Sequence, residues 1–212
     1  LWAAPVGEYL FFVLQPVLVA LWLARLDVPT GESFRLSRRA RLVGLLGGVT
    51  VGAIGVGCLL AGPSTLYLGA ILAWAFPVLA IQWAFGWPQL LAARRTVAVG
   101  IGAPTIYLWF IDRYAIANGL WTISPAHTIG VAPFGLPIEE AIFFLVTNAF
   151  IVQGLVLYRW LLERWPTIEP TVRARVPSTL LSAIPVSERP SGRGLFPTDE
   201  RSTPPEDERG RR

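Results

Sequence analysis

The sequence predicts an all-α, polytopic membrane helix bundle of about five transmembrane helices, built from two parallel repeats and followed by a disordered C-terminal tail. Three observations carry that reading. Hydrophobic residues make up 53% of the 212 residues and charged residues only 15%, where a soluble domain carries about 25% charged residues. Five apolar stretches approach or reach the roughly 20 residues that cross a bilayer. Arginine density alternates from one loop to the next, as membrane orientation demands. Mean hydropathy, at +0.53, agrees. The net charge of +4 comes from arginines in loops and tail, so it speaks for orientation in a membrane and not for nucleic acid.

The first span is expected at 8–25. The loop after it holds Arg25, Arg35, Arg38, Arg39 and Arg41. The second span, 42–61, is dense in small residues (Gly44, Gly47, Gly48, Gly52, Gly55, Gly57), the composition of a close helix–helix contact. Its glycines do not make a dinucleotide loop. Leu60 stands where the third glycine belongs, and no strand precedes the run, so no flavin or nicotinamide site is assigned. The turn at Gly62-Pro63-Ser64 has no arginine. The third and fourth spans, 66–86 and 97–114, contain Pro77 and Pro104, which neighbouring helices can accommodate. Arg94 and Arg95 lie between them. A long loop with only Arg113 beside Asp112 leads to the fifth span, 137–158, and Arg159 and Arg164 follow it. This alternation puts the start of the chain outside and the first loop, the third loop and the tail on the cytoplasmic side. From about 163, nine arginines mix with eight acids, prolines and serines, a composition too polar to bury a core.

Certain absences narrow the chemistry. All 18 basic residues are arginine, which excludes a lysine Schiff base of the retinal type. A single cysteine, Cys58, and a single histidine, His127, leave no metal site and no disulfide framework. There is no methionine, even at position 1, so the chain is expected to start after its initiator or to lack its N-terminus.

An internal repeat is the most informative feature. Residues 5–16 read Pro-Val-Gly-Glu-Tyr-Leu-Phe-Phe-Val-Leu-Gln-Pro, and 137–148 read Pro-Ile-Glu-Glu-Ala-Ile-Phe-Phe-Leu-Val-Thr-Asn. Without gaps, Glu8 matches Glu140, Phe11 matches Phe143 and Phe12 matches Phe144, while Gly7 stands opposite Glu139. Three spans separate the two motif helices, so they point the same way and hold their glutamates near their outer ends. The repeats divide the chain into a partial first unit with a linking helix at 1–61, a second unit at 62–162 and the tail at 163–212. A complete first unit would need about two more spans before residue 5, so part of the natural N-terminal half is expected to lie upstream.

A carboxylate at a helix N-terminus suits the dipole. At membrane depth it is costly and usually functional, and two copies of one acid-plus-aromatic motif favour function. Desolvation penalises the charged form of a carboxyl group, which makes a glutamic acid in apolar surroundings a general acid. Aromatic faces stabilise a nearby cation. Glu139, Glu140, Glu8 and Asp112 are therefore the candidate catalytic residues. Phe11, Phe12, Phe143, Phe144 and Trp121 are the candidate substrate contacts, in a dry site suited to protonating an alkene and shielding a carbocation. Asp112 could equally pair with Arg113 or cap the end of its span, and the phenylalanines could equally be ordinary packing.

The Pro-x-Glu-Glu-x-x-Phe-Phe pattern at 137–144, preceded by Asp112, Gly119, Trp121 and Gly130, resembles the lycopene cyclase-domain family over about residues 1–160. These are membrane carotenoid cyclases found as heterodimeric, fused and fungal bifunctional proteins. The departure is Gly7, where a second glutamate is expected. The resemblance implies cofactor-free acid–base cyclisation of the open ψ-ends of lycopene to β-ionone rings, without net redox change, by a multi-pass protein of the cell membrane. It implies Glu140 and Glu139 as the acid–base group, Glu8 as partner from the other repeat, and a possible homo- or hetero-oligomer with another cyclase-domain chain. The alternatives are a C50 or ε-ring carotenoid cyclase subunit that needs a partner chain, and a small membrane transporter whose carboxylates carry protons or a cation.

Overall fold

A computed structural model describes residues 6–29 and 37–173, with side chains through Trp165. The described residues form five α-helices: α1 (Val6–Leu23), α2 (Arg38–Ala61), α3 (Leu66–Ala92), α4 (Arg94–Ala117) and α5 (Ile138–Arg173). The five expected apolar stretches are thus all helical. Four of the helices, α1, α2, α3 and α5, are long and apolar enough to cross a membrane. The polar residues Arg94, Arg95, Asp112 and Arg113 and the run of Gly100, Gly102 and Pro104 thin the apolar content of α4.

The bundle is organised around α5. Half of its apolar window is buried, against 17% for α1 and 22% for α2. Its neighbours are fixed by specific contacts. On α3, Gln82 donates to the Phe150 carbonyl at 2.9 Å and the Trp83 indole to Gln153 at 2.9 Å. On α4, the Trp109 indole donates to the Ala141 carbonyl at 3.0 Å. On α1, Gln15 donates to Thr147 Oγ1 at 3.1 Å and Asn148 Oδ1 at 3.0 Å. Asn148 in turn donates to Thr105 Oγ1 on α4 at 2.9 Å. Without water, these amides and hydroxyls must find partners within the protein, and Gln15, Thr105, Thr147 and Asn148 do so while buried.

Helix α2 lies against α3, and the glycine stripe explains how. A Cβ on Gly44 would overlap the Trp83 carbonyl, and one on Gly48 would overlap the Ala80 backbone. Gly52 meets Phe76 and Gly55 meets Ala73 in the same way. Small residues let the two backbones approach, and van der Waals packing replaces a hydrophobic driving force that lipid does not supply.

Helix α3 bends at Gly86. Pro88 lacks an N–H and crowds the carbonyl four residues back, so the regular ladder fails there. Leu157 of α5 packs into the space at Gly86. The loop expected to carry Arg94 and Arg95 shrinks to Ala93, and both arginines open α4. Arg38, Arg39 and Arg41 likewise belong to the start of α2, where Ser37 caps the helix by accepting from the Ala40 N–H at 3.1 Å. Helix α5 runs on to Arg173, past the composition change near 163, and the rest of the expected tail lies outside the described residues.

Helix directions alternate, so the ends divide by charge. Arg25, Arg38, Arg39, Arg41, Arg94, Arg95, Arg159 and Arg164 lie at one end. The starts of α1, α3 and α5 and the finish of α4 lie at the other, where Arg113 is the one arginine among the described residues.

Candidate active site

The arginine-poor end gathers the carboxyl groups. Helix α4 stops there in a Schellman turn: the Gly119 N–H donates to the Ile116 carbonyl and the Leu120 N–H to the Ala115 carbonyl, both at 3.0 Å. That turn needs a left-handed residue at its centre, and Gly119 supplies it at φ +66°. The chain reverses, and the Trp121 indole returns to donate to Asp112 Oδ1 at 3.0 Å. The alternative pairing of Asp112 with Arg113 does not form, because Arg113 Nε donates to the Phe134 carbonyl instead.

The loop then closes on α5. The Ile138 N–H donates to the Val131 carbonyl at 3.0 Å. The Ile129 N–H, just before the left-handed Gly130 at φ +80°, donates to Glu139 Oε1 at 2.7 Å. Glu139 is fully buried and Glu140 nearly so. Being consecutive, the two side chains diverge by about 100° around the helix. Glu139 faces the loop, while Glu140 faces α3, where the Tyr67 hydroxyl donates to its Oε1 at 2.6 Å. Asp112 and Glu139 both lie within electrostatic reach of Glu140. Glu139 Oε2 and Asp112 Oδ2 are buried with no hydrogen-bond partner. Buried polar atoms nearly always have partners, and two of the five exceptions among the described residues fall in this carboxyl cluster.

One turn further along α5 come the aromatic rings. Phe11 packs edge-on against Phe144 with centroids 6.0 Å apart, and Phe12 against Phe143 at 6.3 Å. Because Phe11 matches Phe143 and Phe12 matches Phe144, each contact is the other with the two motif copies exchanged. The Gln15–Thr147 bond, which joins matched positions, lies on the same local two-fold. Parallel repeats related by an axis along the membrane normal produce this arrangement. Trp74 of α3 extends the strip, stacking on Phe143 at 6.3 Å and lying 5.2 Å from Phe150.

Glu139, Glu140, Asp112, Trp121 and the four phenylalanines are therefore brought to one end of the bundle. Glu8 sits at the same end within electrostatic reach of Glu140, but it is exposed and forms no hydrogen bond with the described residues. His127 is exposed in the loop. Pro5 of the first motif copy lies outside the described residues.

Sequence reasoning missed Tyr67, Trp74 and the polar set Gln15, Thr105 and Asn148. The amides had a signal, being uncharged polar groups inside apolar spans. Tyr67 and Trp74 had only their place in the first turns of α3.

The described residues thus form a membrane helix bundle with three buried carboxyl groups at one end, one helical turn from aromatic pairs drawn from two copies of one motif. Comparison with known proteins places it further. The chain is 48% identical over 165 residues to a lycopene beta-cyclase of Halobacterium salinarum, covering 78% of this chain and 69% of that protein. It is 34% identical over 160 residues to a bifunctional lycopene cyclase/phytoene synthase of Gibberella fujikuroi, 73% of this chain and 28% of that protein. An Aspergillus niger protein of the same description is 33% identical over 201 residues, 88% of this chain and 33% of that protein. No family model matches the chain, and no solved structure matches it. The chain belongs to the lycopene cyclase family.

Proposed function

We propose that this protein is a membrane lycopene cyclase that closes the open ends of lycopene to β-ionone rings. The observation that carries the reading is the burial of Asp112, Glu139 and Glu140 at one end of the bundle, one helical turn from the paired phenylalanines. Its identity to the Halobacterium lycopene beta-cyclase supports the same reaction.

The reaction balances within the substrate. A carboxylic acid protonates the terminal alkene. The π electrons of the neighbouring alkene attack the resulting cation and form the ring carbon–carbon bond. A carboxylate then removes a ring proton, leaving the β-ionone double bond. One proton enters and one leaves, so the formula is unchanged, the step is an isomerisation and no oxidant or reductant is consumed. Glu139 and Glu140 form the acid–base group, with Asp112 exchanging protons beside them. The unpartnered oxygens of Glu139 and Asp112 are free lone-pair positions for that exchange. Glu8 joins from the other motif copy as a weaker electrostatic partner. Phe11, Phe12, Phe143 and Phe144 supply ring faces for the cation, and Trp121 holds Asp112 in place.

In this reading α1 is the motif helix of one repeat, and α3, α4 and α5 form the other. The arginine-rich end faces the cytoplasm, which puts the tail there and the carboxyl cluster at the outer side.

The test is pigment analysis. Expressed from its complete gene in a lycopene-accumulating bacterium, the protein is expected to convert lycopene to γ- or β-carotene, resolved by liquid chromatography. Unchanged lycopene, with the protein present in the membrane fraction, would overturn the reading.

A further inference from the structure

The same end of the bundle holds a cleft of about 360 Å³ between the first turns of α3 and residues 122–128. Leu66, Ala70 and Ile123 give it apolar walls, with Ser124 and His127 at its polar edge. Small-ligand sites run about 300–1,000 Å³, so this one has room for a ring-sized group and not for a whole carotenoid.

Two features connect the cleft to the carboxyl cluster. Tyr67 lines it and also holds Glu140 through its hydroxyl. The loop that forms the opposite wall continues directly to Ile129, whose N–H holds Glu139. A third feature gives the cleft a direction. Tyr67, Ala70 and Trp74 share one face of α3, at spacings of three and four residues. Trp74 is half-exposed and stacks on Phe143 with an interplanar angle of 30°. An apolar track thus leads from the cleft, past Trp74, to the phenylalanine pairs.

We propose that this cleft binds the cyclising end group of the carotenoid. Tyr67 is its contact residue and holds Glu140 towards the reacting alkene, while the polyene runs out along Trp74 and Phe143. The proposal rests on the cyclase reading and assigns it a substrate site on the α3 side of the carboxyl cluster.

The test fills the cleft from its two walls. Ala70→Phe acts from the helix and Ile123→Trp from the loop, with Ile81→Phe on the exposed face of α3 as control. Two quantities are measured on the full chain: lycopene retained by the detergent-purified protein, read from its absorption, and lycopene converted in membranes. Both filling variants are expected to lose at least about tenfold in conversion and most of the retained lycopene, while the control keeps both. Tyr67→Phe keeps the ring and loses the hydroxyl; it is expected to lower kcat with KM within about twofold, whereas Trp74→Ala raises KM. Filling variants that retain and convert lycopene like the parent would overturn the proposal, as would a parent that retains none. A parent that retains lycopene without converting it, with retention lost in both filling variants, would support the cleft and overturn the cyclase reading alone.

Discussion

The two copies of the glutamate–phenylalanine motif occupy matched positions about a local two-fold, yet they are built differently. On α5, Glu140 is buried and takes a hydrogen bond from Tyr67, Glu139 is fully buried beneath the 118–137 loop, and Phe144 is buried. On α1, Glu8 is exposed, Gly7 replaces the second glutamate, and Phe12 is half-exposed. The surroundings, more than the motif, make the difference. Helices α3 and α4 and the loop after α4 wrap the first turn of α5, and among the described residues no such elements wrap the first turn of α1. A shared motif places two carboxyls at one depth. Only a surrounding shell takes one of them out of contact with polar solvent and gives it a fixed hydrogen-bond partner.

The sharpest way to break this comparison is to neutralise the enclosed copy. Glu140→Gln keeps size and hydrogen-bonding capacity but cannot deliver a proton. General acid–base groups contribute about 10²–10⁴-fold, and a loss in that range is expected in the lycopene-to-carotene ratio at unchanged membrane level. A normally active Glu140→Gln protein would remove Glu140 from the chemistry and leave the enclosed copy no more functional than the open one.

The matched phenylalanines sharpen the comparison one step down. Phe143 stacks on Trp74 and follows Glu140 by one turn, whereas Phe11 follows the exposed Glu8. Phe143→Leu removes a ring face at the cation and is expected to cost about tenfold in conversion, in line with a cation–π contribution of about 0.5–2 kcal/mol. Phe11→Leu is expected to cost a few-fold, mainly through packing against Phe144. Equal losses, matched by equal drops in membrane level, would make both rings ordinary packing.

Much of this is legible in the sequence alone. Long apolar runs can satisfy their backbone in lipid only as helices or closed barrels, so α1, α2, α3 and α5 follow from hydropathy. The motif acids and phenylalanines were legible because they recur at fixed spacing. The glycine stripe read correctly as close packing because a missing side chain is a local property. What stayed hidden depends on tertiary approach. Tyr67 lies 73 residues from Glu140, and a lone tyrosine in an apolar helix has no pattern of its own. The partner of Asp112 turned on the Schellman geometry at Gly119, which chose Trp121 over the adjacent Arg113. The reach of α3 to Ala92, leaving Ala93 as its link to α4, depends on how the chain continues past the bend at Gly86.

The two-fold itself is open to test at Gln15. Its amide joins Thr147 and Asn148 near the middle of the α1–α5 contact, and Asn148 carries the connection to Thr105. Gln15→Leu removes both donors and leaves Asn148 Oδ1 buried without its partner. Interhelical hydrogen bonds in membranes are worth about 0.6–2 kcal/mol, and a loss of that size is expected in the thermal stability of the detergent-solubilised protein, with a smaller effect on conversion. An unchanged melting temperature would mean that α1 is held by its aromatic contacts, by the packing of Val19 and Leu23 in the buried apolar cluster and by the Trp22 bond to the Val99 carbonyl.

The smallest expected effect falls on the exposed acid. Glu8→Gln alters an exposed carboxyl group at the same end of the bundle as Glu140 and disturbs no hydrogen bond among the described residues. An exposed charge in a high-dielectric setting interacts by no more than about 1 kcal/mol, which limits the change in conversion to less than about tenfold. Introducing the missing glutamate, Gly7→Glu, should likewise leave conversion within about threefold, since a Cβ there meets nothing within 4 Å and an exposed carboxylate has little to act upon. A loss at Glu8→Gln as deep as that at Glu140→Gln would place both motif copies in the chemistry. The local two-fold would then be a catalytic symmetry as well as a structural one, with each glutamate serving one protonation step.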